Sequence, residues 1–505
     1  MRRTLFSLLI IILIVFGVVL YAQTNTGQDQ IAFARLTLDY PTYFTPSDLI
    51  PSAQCKLELP ESPLTYLERR DENTCIIKIG IVNPFSRNDA CFDGGTELKQ
   101  GYEIAIKEIS EQNGLHVNGC HIELVQVDDL NNASNAAEAV SNLADRDASV
   151  ILGAYSSSAT LAAAKEADRQ SIPLIVPSAS SDLITKLGYD WVFRINATSS
   201  DYVELAMDLI ETIPITTTSP ITPTQIITSS PSIAVIYINR PFGESAAVAV
   251  TTQAESRGMS VVAYESFASS DDLVTSLTTI QQADPDIVYI AANNITDAIN
   301  LFEISNTIEL KPKLFIANAG AFINPKFLEA IRDQAVTEAS YVVVTGQWAA
   351  DLEWGDNNNQ KWPDAQSFIN TFQELRQAES AATSTVDAIT STDTTDAPAP
   401  ILGMRTVQAY TVFRLAYDAV YACAEEGKTS ALDQRTCVNN KLHSLDAEPT
   451  IFGPITFNTA GQNDHEAILV QIIPTDDGSY EFATVFPENR KKQDVYYPNH
   501  GSENE

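Results

Sequence analysis

A chain of 505 residues is too long for one hydrophobic core, and a composition of 44% hydrophobic and 19% charged residues is that of ordinary folded domains, so two or three domains are expected. A formal charge of −34 with 31 Lys and Arg sets most of the surface against phosphate backbones and excludes nucleic acid as a partner.

In chain order, Arg2 and Arg3 precede an apolar run over residues 5–20 that only Ser7 and Gly17 interrupt, and the sequence turns polar at Gln23. This is the pattern of an export signal. Ala22 offers a cleavage point, but the run is also long enough for residues 4–22 to stay as a single membrane anchor. Either way the rest of the chain is expected to be soluble and on the outer side of the cytoplasmic membrane. Residues 23–74 are polar, contain proline and carry Cys55, and read as an extension tied down by a disulfide.

From residue 76 short β-branched runs alternate with amphipathic stretches. Residues 76–82 read as a strand; Leu98, Tyr102, Ala105, Ile106 and Ile109 share one helical face closed by Gly114. A strand over 121–127, a helix over 133–145 and a fully buried strand over 150–152 follow. Further strands are predicted at 172–176, 192–195, 233–238, 259–264, 287–291, 314–317 and 341–344, nearly all separated by helices. Such alternation demands parallel sheets with right-handed crossovers, and about ten strands exceed one comfortable open sheet. The fold class is therefore α/β, with two doubly wound parallel-sheet lobes. Residues 213–231 and 378–400 are Thr/Ser/Pro-rich without apolar period and read as surface insertions, and 488–505 as a frayed tail.

Six cysteines suit an exported chain that pairs its thiols. The sequence-local set is favoured: Cys55 with Cys75, Cys91 with Cys120, and Cys423 with Cys437. No C-x-x-C occurs, and His116, Cys120 and His121 read as a turn and strand start, so neither a metal nor a cofactor is expected.

The stretch GAYSSSA at 153–159 sets Ser156, Ser157 and Ser158 between a buried strand and a helix, and Ser178, Ala179, Ser180 and Ser181 recur after the strand at 172–176. In parallel sheets ligands gather outside the strands' carboxyl ends, where helix N-termini present free N–H groups. Two junctions of this kind offer hydroxyls and amides to a carboxylate. A serine nucleophile would need a base, and the chain has five histidines and no G-x-S-x-G. Gly94-Gly95-Thr96 with Gly101 matches neither a P-loop nor G-x-G-x-x-G. The pairs Asp128-Asp129 and Asp271-Asp272 read as surface or caps in so acidic a chain. No enzyme is expected; an exported hydrolase is the weakest of three readings.

The order of several segments carries a resemblance: residues 77–82, Gly101-Tyr102-Glu103-Ile104-Ala105, Val127-Asp128-Asp129, GAYSSS at 153–158, residues 173–180, Phe193-Arg194, residues 237–244 and residues 451–457. Together they resemble the type 1 periplasmic binding proteins, in particular the leucine/isoleucine/valine-binding group of ABC importers, over roughly residues 75–486. The resemblance implies two lobes joined by three hinge strands, with lobe 1 at 75–196 and 345–452 and lobe 2 at 197–344 and 453–487. It implies hinges near residues 194–197, 343–346 and 452–454. By matching position Ser156, Ser157 and Ser180, with the backbone of Ser178 and Ala179, would hold the ligand from lobe 1, and Phe92 or Asp93 would cover it. From lobe 2 would come Phe242, Asn293 or Asn294, and Asn318. One departure stands out: the acid that family members set against the ligand ammonium falls near Ala319, where no carboxylate stands. Either another acid such as Asp93 substitutes, or the ligand is a carboxylate, amide or urea-like solute. The implied function is an extracytoplasmic, monomeric binding protein that captures an amino acid or analogue and hands it to an ABC permease. A membrane-tethered sensor is the alternative.

Overall fold

The computed structural model describes residues 75–85, 93–112, 114–213, 230–352, 361–387 and 401–497. Two sheets organise them. The first is built from β1 (Cys75–Asn83), β2 (His116–Val117), β3 (Cys120–Asp128), β4 (Ala148–Leu152), β5 (Leu174–Val176) and β6 (Val192–Arg194), in the order β2-β3-β1-β4-β5-β6. All pairs are parallel except β2 with β3. Every residue of β4 is buried, which explains why ASVIL is apolar without alternation: helices cover both faces of a parallel sheet. The covering helices here are α1 (Asp93–Gln112), α2 (Ala133–Asp145), α3 (Ser157–Gln170) and the short α4 (Leu183–Lys186).

The chain then enters α5 (Ser199–Thr212) and a second sheet made from β7 (Ser232–Ile238), β8 (Ser260–Phe267), β9 (Ile287–Ala291), β10 (Leu314–Ala317) and β11 (Val343–Gly346), alternating with α6 (Pro241–Ser256), α7 (Ser270–Ala283), α8 (Ile295–Thr307) and α9 (Pro325–Asp333). It returns as α10 (Ala365–Asp387), α11 (Met404–Glu425) and α12 (Ala431–His443), passes the hairpin β12 (Glu448–Thr450) and β13 (Gly453–Ile455), and ends in β14 (Ile468–Pro474) and β15 (Tyr480–Phe486). The second sheet reads β15-β14-β11-β10-β9-β7-β8, with β14 antiparallel to β11 and β15 antiparallel to β14. Two doubly wound α/β lobes follow, as the strand rhythm predicts.

Helix α11 fastens the first lobe. Of its 22 residues only Asp418, Tyr421, Ala422 and Glu425 are not buried, because it lies between α1, α12 and the sheet. Its approach to α1 is set by Gly101, where a Cβ would stand 2.1 Å from the Thr406 carbonyl oxygen. Buried cations on α11 are paired: Arg414 with Glu108 at 2.8 Å and Arg405 with Glu97 at 2.7 Å.

Several sequence expectations need correction. Cys75 is bonded to Cys120, not to Cys55, and Cys91 is therefore not the partner of Cys120; Cys55 and Cys91 lie outside the described residues. The cause is the parallel register: Cys75 and Cys120 are opposite one another at the start of β1 and β3, with Cα atoms 4.3 Å apart. Cys423 pairs with Cys437, the expected bond between α11 and α12. Helix α10 continues to Asp387, into the segment read as an insertion, and the remainder of that segment and most of 213–231 lie outside the described residues. The chain end is held as far as Tyr497: the Tyr496 N–H donates to Gln471 Oε1, Gln471 Nε2 donates to the Tyr496 carbonyl, and Tyr496 stacks on Tyr341 with centroids 4.1 Å apart. Strands β14 and β15 went unassigned because no helices separate them.

Candidate ligand site between the lobes

The carboxyl ends of the two sheets face each other across a compact cavity of about 40 Å³. Its lining comes from both sides: Tyr155, Ser156, Ser157, Ser178, Ala179, Ser180 and Asn196 from the first sheet, Phe242, Asn293, Ala319 and Gly320 from the second, and Met404 and Arg405 from the start of α11.

The two serine junctions are physically joined. Ser156 caps α3, its hydroxyl accepting from the Ala159 N–H at 3.4 Å, and Ser157 Oγ accepts from the Ser181 N–H at 3.2 Å. Ser178 Oγ donates to the Tyr155 carbonyl at 3.4 Å. Ser199 Oγ donates toward the Ser180 carbonyl at 3.2 Å, with Ser180 Oγ at 3.3 Å. These bonds fix the loop conformations, so the hydroxyls are directed by the scaffold before any ligand arrives.

Behind the serine loops sits Arg194, the last residue of β6 and fully buried. Its Nε donates to Gln462 Oε1 at 2.7 Å, Nη1 to the carbonyls of Ser181 at 2.7 Å and Ala179 at 3.2 Å, and Nη2 to Thr185 Oγ1 at 2.9 Å. Burial pushes its guanidinium down to about 10, so it is still a cation at neutral pH, solvated by carbonyls in place of water. Asn196 performs a similar task at the cavity wall: it accepts from Tyr202 Oη at 2.8 Å and Gln408 Nε2 at 2.7 Å, and donates to the Ser178 carbonyl at 2.8 Å.

Three chain segments cross between the lobes, after β6, after β11 and after β13, and Gln347 ties them together. Its Oε1 accepts from the Ala197 N–H at 2.5 Å, and its Nε2 donates to the His465 carbonyl at 2.9 Å. His465 packs edge-on to Phe452, and burial, helped by Arg490, pushes its imidazole down to about 4. At the cavity itself Arg405 Nη2 donates to the Gly320 carbonyl of the opposite lobe, and the Asp182 N–H donates to Ser245 Oγ at 3.0 Å, also across the cleft. Burial opposes the charge of Arg405, but Tyr155, whose ring lies 5.6 Å from the guanidinium, and the Glu97 carboxylate outweigh it and hold its proton more tightly than usual.

Of the residues expected at the site, Ser156, Ser157, Ser178, Ala179, Ser180, Phe242 and Asn293 line the cavity. Asn294 does not: it caps α8, accepting from the N–H groups of Thr296 and Asp297. Nor does Asn318, which is fully buried beneath the β10 loop and accepts from Tyr289 Oη at 2.9 Å. The causes differ: Asn294 is consumed by the N-cap of α8, whereas Asn318 is turned into the interior between the strands, where the Tyr289 hydroxyl claims its oxygen. Phe92 lies outside the described residues, and Asp93 begins α1 with its side chain outside them. Sequence reasoning missed Tyr155, Asn196, Met404 and Arg405. Arg405 left a signal in the sequence: a cation in the first turn of a helix opposes the helix dipole, and its presence there asks for a partner or a ligand.

Two parallel α/β sheets, joined by three crossings and meeting around a polar cavity at their carboxyl ends, define a two-lobed solute-binding protein. The periplasmic binding protein family model matches residues 76–479, and the chain belongs to that family. Among characterised relatives it is similar to the Leu/Ile/Val-binding protein homolog 7 of Brucella abortus, 25% identical over 300 residues that cover 59% of this chain and 70% of the relative. Among solved structures it is similar in fold to a leucine-binding protein of Thermotoga maritima, at 16% identity and TM-score 0.62, covering 82% of this chain and 99% of that one. A solute-binding protein of Rhodopseudomonas palustris BisB5 in complex with 3,4-dihydroxybenzoic acid aligns at 16% identity and TM-score 0.59, over 84% and 99% of the two chains.

Proposed function

We propose that this chain captures a small polar solute between its lobes on the outer side of the cytoplasmic membrane and delivers it to an ABC permease. The observation that carries the reading is the cavity lined from both sheets, in which serine hydroxyls and helix N-termini of one lobe face Phe242 and Asn293 of the other. The relatives support it, since their names and bound molecules are an amino acid, branched-chain amino-acid binding and a benzoic acid. Closure is the work done: a solute touching both lobes stabilises the closed arrangement, and the crossings at Asn196, Gln347 and the β13–β14 segment absorb the rotation. No bond is made or broken, and one copy of the chain contributes the whole site.

The test is a thermal-shift screen of the purified protein against amino acids, amides, carboxylates and polyols. A true ligand at one hundred times its Kd raises stability by about 2.7 kcal/mol. Ser180→Ala should weaken the hit without revealing any turnover. Turnover of the hit would overturn the reading in favour of an enzyme, and a flat screen would leave the cleft without a solute role.

A further inference from the structure

We propose that the second lobe carries a binding site of its own, remote from the cleft, for a small zwitterion with an apolar body. A cavity of about 330 Å³ lies at the amino ends of β10 and β11, at the opposite end of that sheet from the cleft. It is walled by the last turn of α8, the connection into β10 and the 3-10 turn Thr337–Ala339 that leads to β11. That space is more than twice the roughly 150 Å³ that takes up benzene in an engineered apolar cavity, and it falls within the range of about 300–1,000 Å³ for small-molecule pockets. Backbone hydrogen bonds hold the walls. The Leu310 N–H donates to the Ser305 carbonyl at 2.8 Å, the Ser340 N–H to the Thr337 carbonyl at 3.0 Å, and the Tyr341 N–H to the Ile472 carbonyl at 2.7 Å. Tyr341 is fixed further, since its carbonyl accepts from Gln471 Nε2 at 2.8 Å and its ring stacks on Tyr496. The cavity therefore has its shape before any solute enters.

Its lining has an apolar part and a charged part. Leu310 and Phe315, both buried, and the half-buried Tyr341 supply the apolar surface. Lys311, which is exposed, and Glu338, which is half-buried, bring one ammonium and one carboxylate to the same cavity. Among the described residues neither makes an ion pair, with the other or elsewhere, whereas Lys313, two residues on from Lys311, is held by Asp286 at 2.7 Å. Ser305, buried in the last turn of α8, adds a hydroxyl that has no partner among the described residues. A solute with a single charge is attracted by Lys311 or Glu338 and repelled by the other. A neutral apolar solute would cover the Glu338 carboxylate without compensating it. A zwitterion meets both demands, with its carboxylate toward Lys311 and its ammonium toward Glu338, while its hydrocarbon or ring leaves water against Leu310, Phe315 and Tyr341. All of these groups belong to one lobe, so occupancy does not require the lobes to close.

The test is equilibrium dialysis of the full-length protein, carrying Ser180→Ala to weaken the cleft, against three molecules that share a carbon skeleton: phenylalanine, 3-phenylpropanoate and 2-phenylethylamine. Phenylalanine should bind at least fivefold more tightly than either singly charged analogue. Lys311→Gln and Glu338→Gln, at positions without an ion pair to lose, should fold as the parent does by circular dichroism and should each cost at least fivefold in phenylalanine affinity. The two variants should also differ in preference: Glu338→Gln should bring 3-phenylpropanoate level with phenylalanine, and Lys311→Gln should do the same for 2-phenylethylamine. Phenylalanine binding that both variants leave unchanged, or that is no tighter than that of the analogues, overturns the proposal, as does failure of all three molecules to bind. None of these failures touches the reading of the cleft, whose lining shares no residue with this cavity.

Discussion

Between pH 4 and 7 the stability of this protein should be set by two buried groups that pull in opposite directions. His465 lies in the third crossing with its imidazole pushed down to about 4 by burial and then by Arg490. The folded state refuses a proton that the unfolded chain accepts from pH 6.5 downward, so this group's contribution is present above 6.5 and lost as pH falls toward 4. Asp129, fully buried at the end of β3, is pushed up to about 7 by burial against the opposing Asn131 N–H, with Asp128 adding to the rise. Here the folded state keeps a proton that the unfolded chain gives up, so its contribution is complete below 3.8 and lost as pH rises through 7. Converted at 1.36 kcal/mol for each tenfold in proton affinity, His465 is worth about 3 kcal/mol and Asp129 about 4 kcal/mol. The wild type should therefore show a shallow profile between pH 4.5 and 6.5. His465→Gln unmasks Asp129, and stability should then fall as pH rises; Asp129→Asn unmasks His465, and stability should rise steeply with pH. Urea midpoints at pH 4.5, 5.5 and 6.5, followed by circular dichroism, give the slopes. If both variants keep the wild-type slope, the assignment of the pH dependence to these two groups is wrong.

Three further outcomes follow from the packing. Gly101→Ala puts a Cβ within 2.1 Å of the Thr406 carbonyl and 2.8 Å of the Tyr410 nitrogen, both backbone, so α11 must lift from α1; a loss of about 1–3 kcal/mol is expected in urea unfolding. Replacing both Cys75 and Cys120 by Ser opens a loop of sequence separation 45 and should cost about 4 kcal/mol, against about 3 kcal/mol for the Cys423 and Cys437 pair of separation 14, so the first double variant should show the lower urea midpoint. Gln347→Ala deprives the buried Ala197 N–H of its acceptor, at about 1–3 kcal/mol, and should broaden the spread of lobe separations seen by small-angle X-ray scattering; an unchanged scattering profile would mean that Gln347 does not restrain the hinge.

The parallel core was legible because each strand in it is buried on both faces and each helix on one. Runs such as IVYIA at Ile287–Ala291 and LFIA at Leu314–Ala317 are apolar end to end and flanked by helical periods. The serine junctions were legible for a related reason: in such a sheet, chain order alone says which loops lie at the carboxyl ends. What chain order does not say is which distant segments meet them. Arg405 and Met404 reach the cavity only because α11 threads back under α1, and Cys120 meets Cys75 only because β3 lies beside β1 in register. Asn294 and Asn318 failed in the other direction, since residue type suggested ligand contact where a helix cap claimed the first amide and the Tyr289 hydroxyl of the neighbouring strand the second.

The interleaving of the lobes governs how the chain must mature. The strands of the first sheet have all been synthesised by Arg194, yet α11, which covers β4 and the Gly101 groove of α1, begins at Met404, after the whole parallel part of the second sheet. The second sheet in turn waits for β14 and β15 at the end of the chain. The first lobe cannot finish its interior before α11 and α12 emerge, nor the second before β14 and β15, and lengths that stop between Arg194 and Met404 leave an apolar face of the first sheet exposed to solvent. Fragments cut at the crossings would inherit that exposure, so the lobes are one cooperative product rather than two modules that could be expressed or swapped apart.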